Sequence, residues 1–266
     1  QTEADARRLQ EIGAAENRIQ VSGNLKFDIQ LSVAGPLVDA LRRCVSPSAP
    51  LIVCGSTTDG EEEILLSAFA TVLRTFPEAV MLLAPRHPER FEKVAQIVSS
   101  SGMKLVRRSA FGLNAPPPTP LAGSVFLLDS LGELASVYAL ATLAFVGGSL
   151  LPGVGGHNIL EPAQHGVPVL TGSHTENFRE IVRIFSGPGA ASAANASALC
   201  LVTPETIASE FLRLLNNRDE RQRLGSLAKQ LFQQNTGATV RTLQALQPLL
   251  AGSSQTSSSA KSKVQS

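Results

Sequence analysis

The sequence predicts an α/β protein built on a doubly wound parallel sheet, and three observations carry that prediction. Short apolar runs recur along the 266 residues. Longer amphipathic stretches separate most of them. Several of the short runs are apolar nearly throughout rather than alternating, which is what burial on both faces of a parallel sheet requires. Strand and helix patterns in this alternation imply helices on both sides of a single sheet.

Taken in order, LIVCG (51–55) reads as the first strand of the sheet and EEEILLSAFATVLRTF (61–76) as the helix after it. AVMLLA (79–84) and PERFEKVAQIVSSSG (88–102) form the next strand and helix, and KLVRR (104–108) a further strand. SVFLLD (124–129) precedes the helical ELASVYALA (133–141), TLAFVG (142–147) precedes NILEPAQHG (158–166), and VPVLTG (167–172) follows as the sixth strand. LNAPPPTPLAG (113–123) is a proline-rich loop that cannot extend its neighbours. Residues 204–250 read as two or three surface helices. Upstream, TEADARRLQEIGA (2–14) is helix-like and RIQVSGN (18–24) strand-like, with no partner sheet of their own, so they read as the end of a preceding domain. The expected organisation is therefore 1–30 as that remnant and link, 31–251 as the ligand-binding domain, and 252–266, composed like a disordered chain, as a tail.

An apolar fraction of 43% and a charged fraction of 17% suit a soluble globular protein with a sizeable core. The formal net charge of +1 supplies no field that would recruit nucleic acid or an anionic membrane in bulk, so binding is expected to come from a local site and no nucleic-acid partner is expected. Cys44, Cys54 and Cys200 have no ligand or framework spacing, and His87, His157, His165 and His174 show no HxH or HExxH pattern. A reducing compartment and no metal are the expectation. Residues 135–156 carry no charge and are long enough for a bilayer span, but their glycines, proline and change of pattern argue for a buried helix, strand and loop instead.

In an open α/β sheet, ligands bind outside the carboxyl ends of the strands. That rule singles out the loops after the strands. GSTTDGEEE (55–63) has Gly55 and Gly60 for close approach and offers the hydroxyls of Ser56 and Thr57 beside amides at a helix start. It is neither a Walker loop nor a dinucleotide fingerprint. It could equally be a plain helix start, with Thr58 or Asp59 as cap and Glu61 to Glu63 favouring the positive end. PRHPER (85–90) places Arg86, whose planar fork suits phosphate or carboxylate, beside His87. In GGSLLPGVGGHNILEP (147–162), Gly155 and Gly156 keep the loop bare, and Asn158 and Glu161 lie three apart, on one face of a helical turn. A carboxylate there can accept from two neighbouring sugar hydroxyls, while Asn158 and free amides can address a phosphate. A capping box is the alternative, and it leaves the glycines unexplained. SHTENFRE (173–180) repeats the pattern with Ser173 or Thr175 as caps and Glu176 and Asn177 as ligands.

GNLKFD (23–28), GSTTDGEEE, APRHPERF, DSLGELASVYALA, FVGGSLLPGVGGHNILEPAQHGVPVLTG and SHTENFREI occur in an order that closely resembles the bacterial 3-deoxy-D-manno-octulosonic acid (Kdo) transferases of lipopolysaccharide assembly. The resemblance covers residues 1 to about 185 strongly and the rest weakly. It implies a Rossmann-like domain, the C-terminal half of a GT-B fold, holding the donor CMP-Kdo with no cofactor and no metal. Carried over, Ser56 and Thr57 line the nucleotide pocket, Gly155 and Gly156 belong to the substrate-binding set, Arg86 and His87 lie by the cytosine and phosphate, Asn158 reaches the phosphate, and Glu161 binds the ribose hydroxyls. Glu176 and Asn177 match the family's next loop. The implied reaction is an inverting displacement by a hydroxyl of a lipid A precursor, lipid IVA, with CMP leaving, at the cytoplasmic face of the inner membrane. The family's general base is a carboxylate near the start of the N-terminal domain, so no catalytic residue is expected in this chain; alone it would bind nucleotide and transfer nothing. The membrane surface would be met through that other domain. Family members often carry His and Glu where Thr58 and Asp59 stand here, and the loop 152–156 is one residue longer than usual. A sugar-nucleotide 2-epimerase, which shares the GT-B layout, and a non-catalytic nucleotide-binding module are the alternatives.

Overall fold

The computed structural model describes residues 1–29, 35–111, 121–187 and 197–256, with side chains described as far as residue 250. The described strands are β1 (Leu51–Thr57), β2 (Val80–Pro85), β3 (Lys104–Arg107), β4 (Ser124–Leu127), β5 (Leu143–Val146), β6 (Val169–Thr171) and β7 (Leu199–Leu201). The α-helices are α1 (Glu3–Glu11), α2 (Pro36–Cys44), α3 (Glu61–Thr75), α4 (Phe91–Ser100), α5 (Leu134–Val137), α6 (Leu160–Gln164), α7 (Arg179–Ser186), α8 (Ile207–Asn216), α9 (Arg218–Gln234) and α10 (Ala238–Thr256). By contacts the chain forms two units, residues 1–30 with 232 onward, and residues 31–231.

In the first unit, α1 begins on a capping box in which Thr2 Oγ1 accepts from the Asp5 amide at 3.1 Å and Asp5 accepts from the Thr2 amide at 3.0 Å. The strand expected over 18–24 is not there. Its apolar alternation is local, and a strand needs a neighbour to satisfy its amides and carbonyls; the segment instead runs between two 3₁₀ turns, Glu16–Arg18 and Leu25–Phe27. Phe27 is buried, its ring 6.3 Å from that of Phe232. Asp28 accepts from the amides of Thr239 and Gly237, capping α10, and these bonds hold its carboxyl below the usual range. The α10 backbone continues to Thr256, into the segment expected to be a disordered tail. The remainder of that tail, and most of the proline-rich loop, lie outside the described residues.

The second unit is the expected doubly wound sheet. All seven strands are parallel, in the order β3-β4-β2-β1-β5-β6-β7. Alternate residues of the same strand enter opposite cores, as the period of two demands. Ile52, Cys54, Met81, Leu83 and Phe145 pack with α3, α4 and α8 through Phe69, Val94 and Phe211. Leu51, Val53, Leu82, Phe126 and Ala144 pack on the other face against Leu37 and Leu41 of α2 and Tyr138. Residues 135–156 do resolve into buried helix, strand and loop. The helix α8 exposes Ser209, Arg213 and Asn216 and buries Ile207, Phe211, Leu214 and Leu215 in the core beneath it.

The chain leaves β1 toward β2 on one side of the sheet, and later strands return to β5 on the other side of β1. The strand order therefore reverses between β1 and β5, and the crevice above their carboxyl ends is where such sheets bind ligands.

Candidate functional site

Four loops meet at that edge, following β1, β2, β5 and β6. The first opens with an irregularity: the β1–β2 register shifts between Gly55 and Thr57, and Ser56 takes a φ of 55°. Among the described residues it is the only non-glycine in the left-handed region, a conformation that costs energy and concentrates at functional sites. Thr57 is fully buried, and its hydroxyl donates to Glu62 at 2.8 Å. Its carbonyl accepts from the amide of Arg86 at 2.9 Å, which ties the β1 loop to the β2 loop.

One reading of this loop is a plain helix start, with Thr58 or Asp59 as cap and Glu61 to Glu63 favouring the positive end. The three acids do occupy the first turn of α3, but the cap is different. Gly60, not Thr58 or Asp59, stands at the N-cap, with no side-chain cap bond. Glu61 and Glu62 are wholly buried. Glu62 receives both terminal nitrogens of Arg90, at 2.7 and 2.9 Å, and Asp59 accepts from Arg90 and Lys93. The charge and hydrogen bonds of Glu62 push the Arg90 guanidinium above its ordinary value. Glu61 reaches across to the β5 loop, accepting from the amides of Gly148, Ser149 and Leu150. Three amides at the start of the glycine-rich loop are thus occupied by a carboxylate of the protein itself. Gly147 is required here because a Cβ would stand 2.6 Å from Glu61 Oε2.

Arg86 is exposed, and its charge is felt at both Glu161 and His157. His87 is exposed, with Nδ1 3.9 Å from Glu89. Asn158 precedes α6 rather than sharing its first turn with Glu161; its Oδ1 accepts from the Leu160 amide at 3.1 Å, and its side chain lies near enough to Glu161 to favour that carboxylate. Burial raises the Glu161 carboxyl above the usual carboxylate range, against the pull of Arg86 and of Asn158. Burial, then the neighbouring Arg86, holds the His157 imidazole below its ordinary value, and its Nε2 is buried without a hydrogen-bond partner. Val154 and Gly155 are held from the β6 side: the Asn177 amide donates to Gly155 O at 2.9 Å and its side chain to Val154 O at 2.7 Å, while the Gly156 amide donates to Gly148 O at 2.7 Å. A Cβ on Gly155 would meet Asn177 Nδ2 at 2.8 Å. Glu176 is exposed in the 3₁₀ turn Glu176–Phe178. Thr175 stands at the N-cap of that turn but makes no side-chain cap bond, and Phe178 rather than Ser173 or Thr175 precedes α7.

Arg86, from the loop after β2, and Asn158, from the loop after β5, thus both act on the Glu161 carboxyl. Thr57 and Asn177 are framing residues whose polar atoms bond the loops themselves. Sequence reasoning missed Glu61, Glu62 and Arg90 as an interior framework. It also missed Arg108, which is buried and grips Glu133 through Nε and Nη2 while Nη1 donates to Phe111 O. Ser130 also donates to Glu133, fixing the loop after β4. The only sequence signal for these is a charged residue within an apolar approach, such as Arg108 at the end of KLVRR.

A parallel sheet of this order, with its polar loops at the switch point, defines a Rossmann-like ligand-binding domain. No family model matches the chain. It is 34% identical over 251 residues to the 3-deoxy-D-manno-octulosonic acid transferase of Haemophilus influenzae, covering 94% of this chain and 56% of that protein. The crystal structure of the C-terminal CMP-Kdo binding domain of WaaA from Acinetobacter baumannii superposes with a TM-score of 0.65 at 30% identity, covering 74% of this chain and 98% of that one. A UDP-GlcNAc 2-epimerase from Neisseria meningitidis is more distant, with a TM-score of 0.52 at 13% identity over 92% of this chain and 59% of that one, and shares the fold alone. The chain belongs to the 3-deoxy-D-manno-octulosonic acid transferase family, and it spans just over half the length of its Haemophilus relative.

Proposed function

We propose that this chain is the donor-binding part of a Kdo transferase, holding CMP-Kdo at the carboxyl edge of β1, β2, β5 and β6 while Kdo passes to a lipid A precursor. The observation that carries this reading is the convergence of Arg86, Asn158 and Glu161 at the switch point. Glu161 accepts hydrogen bonds from the ribose hydroxyls. Arg86, with Asn158 beside it, receives the phosphate, and its fixed positive charge stabilises the charge that grows on CMP as the bond to Kdo breaks. His87 lies alongside, and Ser56 and the bare Gly155–Gly156 ribbon let the nucleotide approach closely. Glu176 and Asn177 close the rim.

The attacking hydroxyl must lose a proton to a general base. The family resemblance places that base near the start of the N-terminal domain, so it is assigned to the part of the relatives that this chain does not span, while Glu61 and Glu62 are saturated with internal donors. The acceptor and a membrane surface are assigned there too. No helix among the described residues is long and apolar enough to cross a membrane, and the lipid acceptor argues for work at the cytoplasmic face of the inner membrane.

Calorimetric titration of CMP and UDP into the chain and into Glu161→Ala tests the reading. Wild type should bind CMP and not UDP, and the variant should bind CMP about ten- to a hundredfold more weakly, the loss of one or two hydrogen bonds to a charged acceptor. Preference for UDP would favour an epimerase, and unchanged CMP affinity in the variant would remove Glu161 from the site.

A further inference from the structure

The loop after β5 turns three successive amides toward one point. Those of Gly148, Ser149 and Leu150 donate to the Glu61 carboxylate at 2.7, 2.9 and 3.0 Å. Successive amides converging in this way form a concave anion site, of the kind that elsewhere receives a ligand's phosphate. Here the anion comes from within the chain. Glu61 Oε2 also accepts from the amide and hydroxyl of Thr58, at 2.9 and 3.0 Å. The side chain is fully buried, so these five donors stand in for the water it gave up.

The bonds do not stop at the nest. Gly148 O accepts from the Gly156 amide at 2.7 Å, and Ser149 O from the His174 amide at 3.0 Å. Ser149 Oγ accepts from the Gly172 amide at 2.8 Å. Three of the four loops at the switch point are therefore tied, directly or through one intermediate bond, to a single carboxylate.

We propose that Glu61 is a positioning residue for the nucleotide site: it fills the anion nest of the β5 loop from inside, so that the loop is set before any ligand arrives and the ligand's phosphate is directed to Arg86. The proposal rests on reading this site as one for CMP. The residue type follows from the chemistry. Only a carboxylate offers two acceptor oxygens to donors arriving from two sides, and such charge-assisted bonds are the strong ones. An amide in its place would turn a donor NH₂ toward amides that can only donate. Aspartate would fall one methylene short of spanning Thr58 and the β5 loop together.

The test uses the 266-residue chain, with Glu61→Ala and Glu61→Gln, CMP and formate. Wild type should bind CMP. Glu61→Ala should keep a native circular-dichroism spectrum, bind CMP about ten- to a hundredfold more weakly, and regain most of that affinity in millimolar formate, whose carboxylate fits the vacated nest. Glu61→Gln should be weakened and gain nothing from formate, because its own side chain still occupies the space. Undiminished affinity in folded Glu61→Ala, or a loss that formate does not repair, would overturn the proposal, the second by showing that an anion in the nest is not what sets the affinity. Should Glu61→Ala fail to fold, Glu61→Gln decides, with wild-type CMP affinity counting against. Should wild type itself not bind CMP, the nucleotide reading falls. The nest is then judged separately by whether formate shifts the amide resonances of Gly148, Ser149 and Leu150 in Glu61→Ala, and no shift would overturn it.

Discussion

Glu161 stands in a place where its charge is costly until a ligand arrives. Burial raises its carboxyl, and Arg86 and Asn158 offset that only in part. An acid whose folded-state value lies above its unfolded value binds its proton more tightly when folded. Stability therefore falls as pH rises from the unfolded value, about 4.3, through the folded one, and stays lower above it. Replacing Glu161 with Gln removes this penalty. Thermal unfolding of Glu161→Gln should thus occur above wild type at pH 7 to 8, with the two converging below about pH 4. A gap that persists or grows in acid would contradict the assignment. The same shift acts oppositely on binding: CMP affinity should decline on acidification from a higher pH than an ordinary carboxylate would give, and Glu161→Gln should flatten that part of the profile. Phosphate ionisation is common to both proteins and cancels in the comparison.

At the scale of elements, the start of α3 is fastened to the start of α4 by one interior ion pair. Glu62 is fully buried, the Arg90 side chain 14% exposed, and the contact uses both guanidinium ends. Breaking a buried pair from one side leaves an uncompensated charge and costs about 3–5 kcal/mol, whereas replacing both partners with apolar residues is often close to neutral. Chemical denaturation should show Arg90→Ala destabilised by about that amount, and Glu62→Leu combined with Arg90→Met recovering most of it. Equal losses in the single and double variants would show that the pair carries packing rather than charge. The pair also illustrates what sequence could convey. Strands such as LIVCG and AVMLLA were legible because a strand buried on both faces is apolar at every position, whatever surrounds it. β7 was not, being three residues with Leu201 exposed at the sheet's edge. The RIQVSGN segment misled for the converse reason, a strand-like pattern without a partner. Of the proposed site, Arg86 and Glu161 could be picked out by residue type and position after a strand, whereas the place of Asn158 before α6 rather than in its first turn was not legible. The roles of Glu61 and Glu62 could not, since three acids at a helix start look solvated until a loop nearly ninety positions away arrives to bury two of them.

For the whole molecule, the proposed ligand touches loops that are far apart in sequence and adjacent only because seven parallel strands end at one edge. A ligand that binds the native state and not the unfolded one stabilises by mass action, about 2.7 kcal/mol at a hundredfold excess over its dissociation constant. Hydrogen exchange shows where such stabilisation falls, because amides exchange through local openings with their own free energies. With saturating CMP, slowed exchange should appear together in four separated segments, 55–60, 85–87, 147–161 and 173–178. All belong to the unit spanning 31–231, whereas α1 and α10 belong to the other unit and should exchange at unaltered rates. Within the protected set the amides of Gly148, Ser149 and Leu150 should already be slow without ligand, because Glu61 holds them, and should change least on adding CMP. Protection confined to the groove that α3 and α4 form through Leu66, Ala70, Ile97 and Met103 would place the nucleotide away from the switch point. It would also sever the link from sheet order to site on which the donor-binding role depends.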